Sequence, residues 1–257
     1  MPEGDALART AAGLRPYLVG RTVTAARARV PGPQVSRIVG ASVTAVDYVG
    51  KNLLIRFDNG LEIRTHLRMT GTWHRYRPGE RWQRPAARAR LVLEVPGAVA
   101  VCFDAPTIEL FEQRAEGLHP SLSRMGPDLL AHDVDLDEAI RRLRYPRRAR
   151  LEIANALLDQ TALAGIGNIW KNEALYAERV DPFAYVSDLD EETLRRLALT
   201  ARRKLQASVA SRPEPLLVYR RSRRPCRRCG TLIRSVEQGD EIPRTTYWCP
   251  TCQGGDR

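Results

Sequence analysis

Hydrophobic and polar residues repeat with different periods in the two halves of the chain. In the first half, residues 6–19 carry apolar side chains at the spacing of a helix face, and the segments after them alternate or form short apolar runs, as strands do. The turn sequence Asp58-Asn59-Gly60 between two such runs is typical of a β-hairpin. The pattern predicts one helix, followed by strands within residues 42–50, 52–67, 89–95 and 98–104.

The second half has the period of helices. Ser187 or Asp188 is placed to cap the last and longest of them. Between the halves, residues 113–134 are polar and contain Gly and Pro, which is typical of a linker. The predicted helices are residues 135–144, 148–158, 169–177 and 189–207.

Composition limits the class of protein. The chain has 257 residues and 43% hydrophobic residues, which is enough to form packed cores. No apolar run approaches the roughly 18–20 residues that a membrane helix needs. The start is acidic and contains proline, unlike the basic and apolar regions of a signal peptide. We therefore expect a cytoplasmic protein without a membrane partner.

The positive charge is concentrated in two stretches. The formal net charge is +11, with thirteen Lys or Arg and one acid between Arg195 and Arg234, and six arginines between Arg141 and Arg150. Such a surface binds polyanions, because each cation that pairs with a phosphate releases a condensed counterion. A solvated arginine-rich surface is the alternative, and charge alone does not exclude it.

Four of the five cysteines form two C-x2-C pairs. Nineteen residues separate the pairs, which is a zinc-ribbon spacing, and a hairpin between them would bring all four thiolates around one Zn²⁺. Four protein ligands leave no open position, so the metal is predicted to be structural. Two disulfides are the alternative, which a cytosolic chain disfavours. The pairs are Cys226 with Cys229, and Cys249 with Cys252, whereas Cys102 lies in an apolar run and is expected inside a strand.

These elements indicate an α+β protein made of separate domains. The predicted parts are a β domain at residues 1–112, a linker at 113–134, a helical domain at 135–212 and a zinc-binding hairpin at 213–257.

A glycine-rich turn lies between two predicted helices. In "GIGN", Gly165 and Gly167 permit a tight turn, and Asn168 then begins a helix whose free N–H groups suit a phosphate. An ordinary glycine turn with Asn168 as N-cap is the alternative.

Four separated motifs resemble one known family. "MPEGD", "YVGKNLLIRF", "GIGNIWKNE" and "RTTYWCPTCQ" occur in the order seen in DNA glycosylases of the formamidopyrimidine-DNA glycosylase/endonuclease VIII family. The resemblance covers essentially the whole chain. It implies an N-terminal β-sandwich, a helix–two-turn–helix domain and a C-terminal zinc finger.

The resemblance also implies the catalytic residues. Pro2, exposed by loss of Met1, matches the amine nucleophile that attacks C1′ of the damaged nucleotide. Glu3 matches the acid/base beside it, and Lys51 matches the lysine near the target phosphate. An α-amine titrates at about pH 8 and a lysine at about 10.4, so the former is more often neutral at physiological pH.

Further residues match the DNA-binding set of the family. Asn168 and Arg244 match the pair that grips the phosphates around the extruded nucleotide, and Met69 matches a side chain that fills the gap left by the flipped base. Without the family, a solvated lysine and a core methionine would be the simpler interpretations of Lys51 and Met69.

The sequence departs from the family pattern near the finger. Pro243 precedes Arg244 where glycine is usual, and Arg220 and Arg223 stand where relatives often have glycine. These departures put the local turn geometry in doubt and add positive charge.

The resemblance implies a monomeric, bifunctional DNA glycosylase and AP lyase of base-excision repair, nearer to the endonuclease VIII branch. A non-catalytic binder of damaged DNA, and a zinc-ribbon protein of transcription or the ribosome, are the alternatives. Members specialised for oxidised purines have a long loop before the finger, and residues 208–225 leave no room for one. We therefore expect oxidised pyrimidines as substrates, although Met69 favours the purine branch.

Overall fold

The computed structural model describes residues 2–212, 214–239 and 243–254. The chain divides into two compact units, Met1–Arg124 and Met125–Arg257. Within the described ranges, no helix has both the length and the apolar character needed to cross a membrane.

The first unit is a β-sandwich with one long helix. Its described residues form α1 (Gly4–Leu18) and two four-stranded antiparallel sheets, in the orders β1-β6-β7-β5 and β2-β3-β4-β8. Apolar side chains from both sheets and from the inner face of α1 share one core. The strands are β1 (Ala25–Ala28), β2 (Val43–Val49), β3 (Asn52–Phe57), β4 (Leu61–His66), β5 (Thr72–Tyr76), β6 (Ala89–Val95), β7 (Ala98–Phe103) and β8 (Thr107–Glu112).

The predicted strands are found, and three more accompany them. The Asp58–Gly60 turn joins β3 to β4 as predicted, and Cys102 is fully buried in β7. The sequence pattern missed β1, β5 and β8, because these edge strands are rich in polar or small residues and are only partly buried.

The segment after β8 is not free of structure. Gln113–Leu118 forms a 3-10 helix, and the Gln113 amide donates to the carbonyls of Phe57 and Leu61, both at 2.9 Å. Glu116 pairs with Arg56 at 3.0 Å. The first residues of the expected linker are therefore attached to the sandwich.

The second unit combines helices with a short hairpin. Helix α4 packs on α5 around an apolar core, and α4 also packs against β10 of the hairpin. The elements are α2 (Leu136–Leu143), α3 (Ile153–Ala156), α4 (Asn168–Ala177), α5 (Glu191–Val209), β9 (Arg234–Gln238), β10 (Arg244–Trp248) and α6 (Pro250–Gln253).

Two predictions in this unit were wrong. The helix expected at 148–158 is only the four-residue α3, because the N–H groups of Ile153 and Ala154 bond the carbonyls of Ala184 and Pro182 instead of a preceding helical turn. The cap of α5 is Asp190, whose carboxylate accepts the Thr193 N–H at 2.7 Å. Ser187 and Asp188 lie in the 3-10 turn before it.

Candidate functional site

The N-terminal residues are fixed to the first helix. Glu3 is 3% exposed and is the N-cap of α1, and its carbonyl accepts the N–H groups of Ala6 and Leu7. Pro2 is partly buried. The start of the chain is therefore not a solvated tail, and it holds the Pro2 nitrogen next to a residue whose carboxyl is removed from solvent.

Lys51 lies in the turn between β2 and β3. Gly50 allows the turn by its left-handed backbone, with φ of 57°, and Asn52 closes it by donating to the Val49 carbonyl at 3.1 Å. Lys51 is only 5% exposed. The interpretation as a solvated lysine is therefore wrong.

The hairpin places more cations beside Lys51. Asn52 pairs with His66 across β3 and β4, and the Asn52 oxygen accepts the Arg64 Nε at 2.9 Å. Burial, with the charges of Arg64, Arg68 and Lys51, lowers the pKa of His66 to about 4. These four side chains form a cationic cluster in which the imidazole is neutral at physiological pH.

His66 was not predicted to be a site residue. A signal was present, because pairing outward from the Asp58–Gly60 turn places residue 66 opposite residue 52, next to Lys51.

Met69 lies at the tip of a tight turn after β4. Its side chain is 61% exposed, so the interpretation as a core methionine is wrong. The Gly71 N–H donates to the Leu67 carbonyl at 2.8 Å, and a Cβ at residue 71 would lie 2.5 Å from that oxygen. The glycine thus permits a turn that presents Met69 outward.

The glycine turn before α4 is only partly as expected. Gly165 has a φ of 96° and donates to the Gln160 side chain at 3.1 Å, so a left-handed residue is required there. Gly167 has an extended backbone with φ of −131°, which any residue adopts. Gly167 is the N-cap and Asn168 the first helical residue, so the alternative with Asn168 as N-cap is wrong.

Side chains of α4 attach this helix to successive residues of β10. Arg244 is the first residue of β10 and immediately precedes these contacts, so Asn168 and Arg244 lie close together. Lys171 is fully buried. The bonds are Asn168 Nδ2 to the Thr245 carbonyl (2.9 Å), Lys171 Nζ to Thr246 Oγ1 (2.8 Å) and the Tyr247 N–H to Asn172 Oδ1 (2.8 Å).

Pro243 does not disturb the hairpin. The pairing between the strands begins at Arg244 with Gln238, so the ladder needs no N–H from residue 243.

A buried glutamate fixes the chain that leads into the finger. Glu173, in α4, is 1% exposed and was not singled out in the sequence. Its carboxylate accepts the N–H groups of Leu217, Val218 and Tyr219 at 2.9–3.0 Å.

The four cysteines form a metal centre. Their Sγ atoms lie within 4.8 Å of one another, and individual pairs are 3.5–3.9 Å apart. A tetrahedral Zn²⁺ with bonds of about 2.3 Å places its sulfurs about 3.8 Å apart, so the donor set fits zinc. No disulfide joins any of the five cysteines, all of which are described, so that alternative is wrong. The Tyr176 hydroxyl lies 3.1 Å from the Cys226 sulfur and provides an outer contact.

Family models match almost the whole chain. The formamidopyrimidine-DNA glycosylase N-terminal domain matches residues 1–108, the formamidopyrimidine-DNA glycosylase H2TH domain matches 125–214, and a zinc finger found in FPG and IleRS matches 224–254.

Curated relatives and solved structures agree with these matches. The chain is 40% identical to a probable endonuclease 8 2 of Streptomyces coelicolor, covering 99% of this chain and 95% of the relative. It is 36% identical to the DNA-(apurinic or apyrimidinic site) lyase Nei2 of Mycolicibacterium smegmatis (98% and 99%) and 31% identical to endonuclease 8 of Escherichia coli (98% and 100%).

The fold matches that of Lactococcus lactis Fpg, solved with DNA that contains N7-benzyl-Fapy-dG, with a TM-score of 0.86 at 22% identity over 99% of this chain and 100% of that one. The predicted β-sandwich, helical domain and zinc finger are thus confirmed. The chain belongs to the formamidopyrimidine-DNA glycosylase/endonuclease 8 family of DNA-repair enzymes.

Proposed function

We propose that this protein excises oxidised bases from DNA and cleaves the strand at the resulting abasic site. The observation that carries the proposal is the N terminus, where Pro2 precedes a buried Glu3 at the start of α1. The matched glycosylase domain supports base excision, and the relatives' names, endonuclease 8 and DNA-(apurinic or apyrimidinic site) lyase, support strand cleavage.

Pro2 is the nucleophile of the proposed reaction. Once Met1 is removed, the secondary amine attacks C1′ of the damaged nucleotide, and the N–C1′ bond forms as the bond to the base breaks; the proton lost by the amine balances the proton gained by the departing base. Glu3 delivers the proton that the opening sugar needs at its ring oxygen. The resulting iminium acidifies the C2′ proton, and loss of that proton expels the 3′ phosphate and cleaves the strand.

The cationic cluster around Lys51 contacts a phosphate of the target strand in this proposal. Lys51 is largely buried, so its charge is poorly screened by solvent, whereas the Arg64 guanidinium is paired with the Glu109 carboxylate. A phosphate beside His66 would oppose the burial and the cationic repulsion that lower its pKa and would favour the imidazolium form.

The second unit provides further phosphate contacts. In this proposal Asn168 and the positive end of the α4 dipole attract a phosphate, and Gly165 gives the turn that leads to the helix. Arg244 lies next to Asn168 because α4 and β10 are bonded together. Zinc supplies the cross-link that holds the finger in place, and Arg244 contacts DNA. Extrusion of the target nucleotide leaves a gap in the duplex, which the exposed Met69 fills.

Oxidised pyrimidines are the proposed lesions. The connection from α5 to the finger is short. Helix α5 extends to Val209, and Glu173 already binds the backbone of Leu217–Tyr219, so few residues lie between them. A pocket without a long covering loop makes fewer contacts to a large purine. We also propose that the enzyme acts as a monomer.

Trapping at an abasic site tests the chemistry. Borohydride should reduce the iminium and leave a covalent protein–DNA adduct that maps to Pro2. Pro2→Gly or retention of Met1 should weaken or abolish the adduct, whereas Pro78→Gly, at an exposed proline in the same unit, should not. Glu3→Gln should lose base excision and keep some nicking of abasic DNA.

Two results would contradict the proposal. An adduct confined to Lys51, with full activity in a protein that retains Met1, would exclude Pro2. Binding to abasic duplex without adduct or nicking would identify a non-catalytic binder of damaged DNA. Faster single-turnover removal of 8-oxoguanine than of thymine glycol would overturn only the choice of lesion.

A further inference from the structure

Two exposed arginines adopt a backbone conformation that favours glycine. Arg220 and Arg223 have φ angles of 55° and 62°. Glycine enters this left-handed region freely, whereas the Cβ of another L-residue comes close to the following carbonyl oxygen. Both positions therefore carry an arginine where glycine would fit the backbone better.

The surrounding contacts hold the turn in this conformation. The Tyr219 N–H is bound by Glu173 at 2.9 Å, and the Arg223 N–H donates to the Ile233 carbonyl at 2.8 Å. Between them, Ser222 accepts a hydrogen bond from Ser235 at 2.8 Å. The turn is anchored on both sides, so the backbone cannot relax to suit the arginines.

Positive charge is concentrated around this turn. Residues 215–236 contain seven arginines and no acidic residue. Arg221 and Arg228 use their guanidinium groups on carbonyls of the protein, at 3.1 and 2.7 Å. Arg220, Arg223 and Arg224 are exposed. We name these three residues the arginine turn.

The arginine turn lies beside the hairpin that carries Arg244. The ring of Tyr219 packs edge-on against that of Tyr247, with centroids 5.4 Å apart, and Tyr247 follows Arg244 by three residues in β10. The positive surface of the turn therefore lies beside the hairpin whose Arg244 is proposed to contact a phosphate.

We infer that the arginine turn is a second phosphate-binding surface, which contacts the DNA backbone outside the phosphates held by Asn168 and Arg244. This inference rests on the proposed function, because it requires DNA as the ligand. Each guanidinium that pairs with a phosphate releases counterions, and this gain accounts for arginine at positions whose backbone favours glycine.

The test replaces arginine by glycine in the arginine turn and, as a control, at another left-handed position of the same unit. The variant Arg220→Gly/Arg223→Gly removes two charges from the turn. Arg179→Gly is the matched control, because Arg179 is also exposed, has a φ of 56° and lies in the same unit. Affinity for a duplex with a tetrahydrofuran abasic analogue is measured by fluorescence anisotropy over a series of salt concentrations.

The double variant should bind the abasic duplex more weakly, and its affinity should depend less on salt concentration. Each lost phosphate contact should weaken binding about 5- to 10-fold at ~0.1 M salt and should reduce the slope of log K against log salt by about 0.9. Arg179→Gly should keep the wild-type affinity and slope. Arg220→Lys/Arg223→Lys should keep most of the slope because it keeps the charge.

Zinc content and unfolding temperature distinguish phosphate binding by the arginine turn from a structural role. Glycine relieves the left-handed strain, so the double variant should keep its zinc and unfold at a temperature no lower than that of the wild type. Equal affinity and slope in the double variant and Arg179→Gly would overturn the inference, and so would loss of affinity accompanied by loss of zinc. If the wild type itself neither binds nor nicks abasic duplex, the proposed function fails instead.

Discussion

Glu173→Gln should release the chain segment that enters the zinc finger. The carboxylate is buried and accepts the N–H groups of Leu217, Val218 and Tyr219 at 2.9–3.0 Å. Hydrogen bonds to a charged acceptor contribute about 1.5–3 kcal/mol, and those to a neutral acceptor about 0.5–1.5 kcal/mol. Glutamine also directs an NH2 group at N–H donors, so the opening free energy of the segment should fall by about 2–3 kcal/mol.

Hydrogen exchange measures this loss at the amides concerned. Because each 1.4 kcal/mol is a factor of about ten, these three amides should exchange about 30- to 150-fold faster in Glu173→Gln. Glu192→Gln, at a residue whose side chain is 79% exposed on α5, is the control and should leave them unchanged. The reasoning is refuted if the three amides keep their wild-type rates, or if every amide of the unit accelerates equally.

Three further changes test the metal, the hairpin and the cationic cluster. Cys249→Ser should lose zinc and DNA affinity together while α2 and α5 stay folded, as followed by metal analysis, anisotropy and circular dichroism; full affinity after complete chelation would contradict this. Arg244→Ala should weaken DNA binding several-fold with zinc retained, and an unchanged affinity would remove Arg244 from the site. The pKa of His66 is about 4, below its ordinary value of 6.5, so the stability due to the neutral imidazole is complete above pH 6.5 and is lost as the pH falls towards 4. The urea midpoint of the wild type should therefore fall relative to that of His66→Asn over this range, and a constant difference would show that the pKa of His66 is not lowered by its burial and the neighbouring cations.

Structural features that depend on a few neighbouring residues were predicted best from the sequence. The hairpin at Asp58–Gly60 and the four-cysteine centre were found, because a turn and a metal-ligand spacing are encoded within a few neighbouring residues. The length of α3 was not found, because it is determined by bonds from Ile153 and Ala154 to the distant loop at 182–184.

In the candidate site, too, local motifs predicted some features, whereas others depend on residues that are distant in the sequence. Motifs located Lys51 and Asn168. The burial of Lys51, and the burial and neighbouring cations that lower the pKa of His66, depend instead on residues brought together across the sheet. The retention of left-handed angles at Arg220 and Arg223 could not be predicted from the substitutions, because it depends on anchors such as Glu173.

Helix α4 contacts both the hairpin that carries Arg244 and the metal centre. Its first turn is bonded to β10 through Asn168, and near its other end the Tyr176 hydroxyl contacts the Cys226 sulfur. If zinc binding raises the affinity for DNA, linkage requires that DNA binding raise the affinity for zinc by the same factor. With DNA bound at Arg244 as proposed, a chelator should therefore remove less zinc at equilibrium than it removes from the free protein. Under zinc limitation, protein engaged on DNA should keep its metal at chelator concentrations that strip the unbound protein.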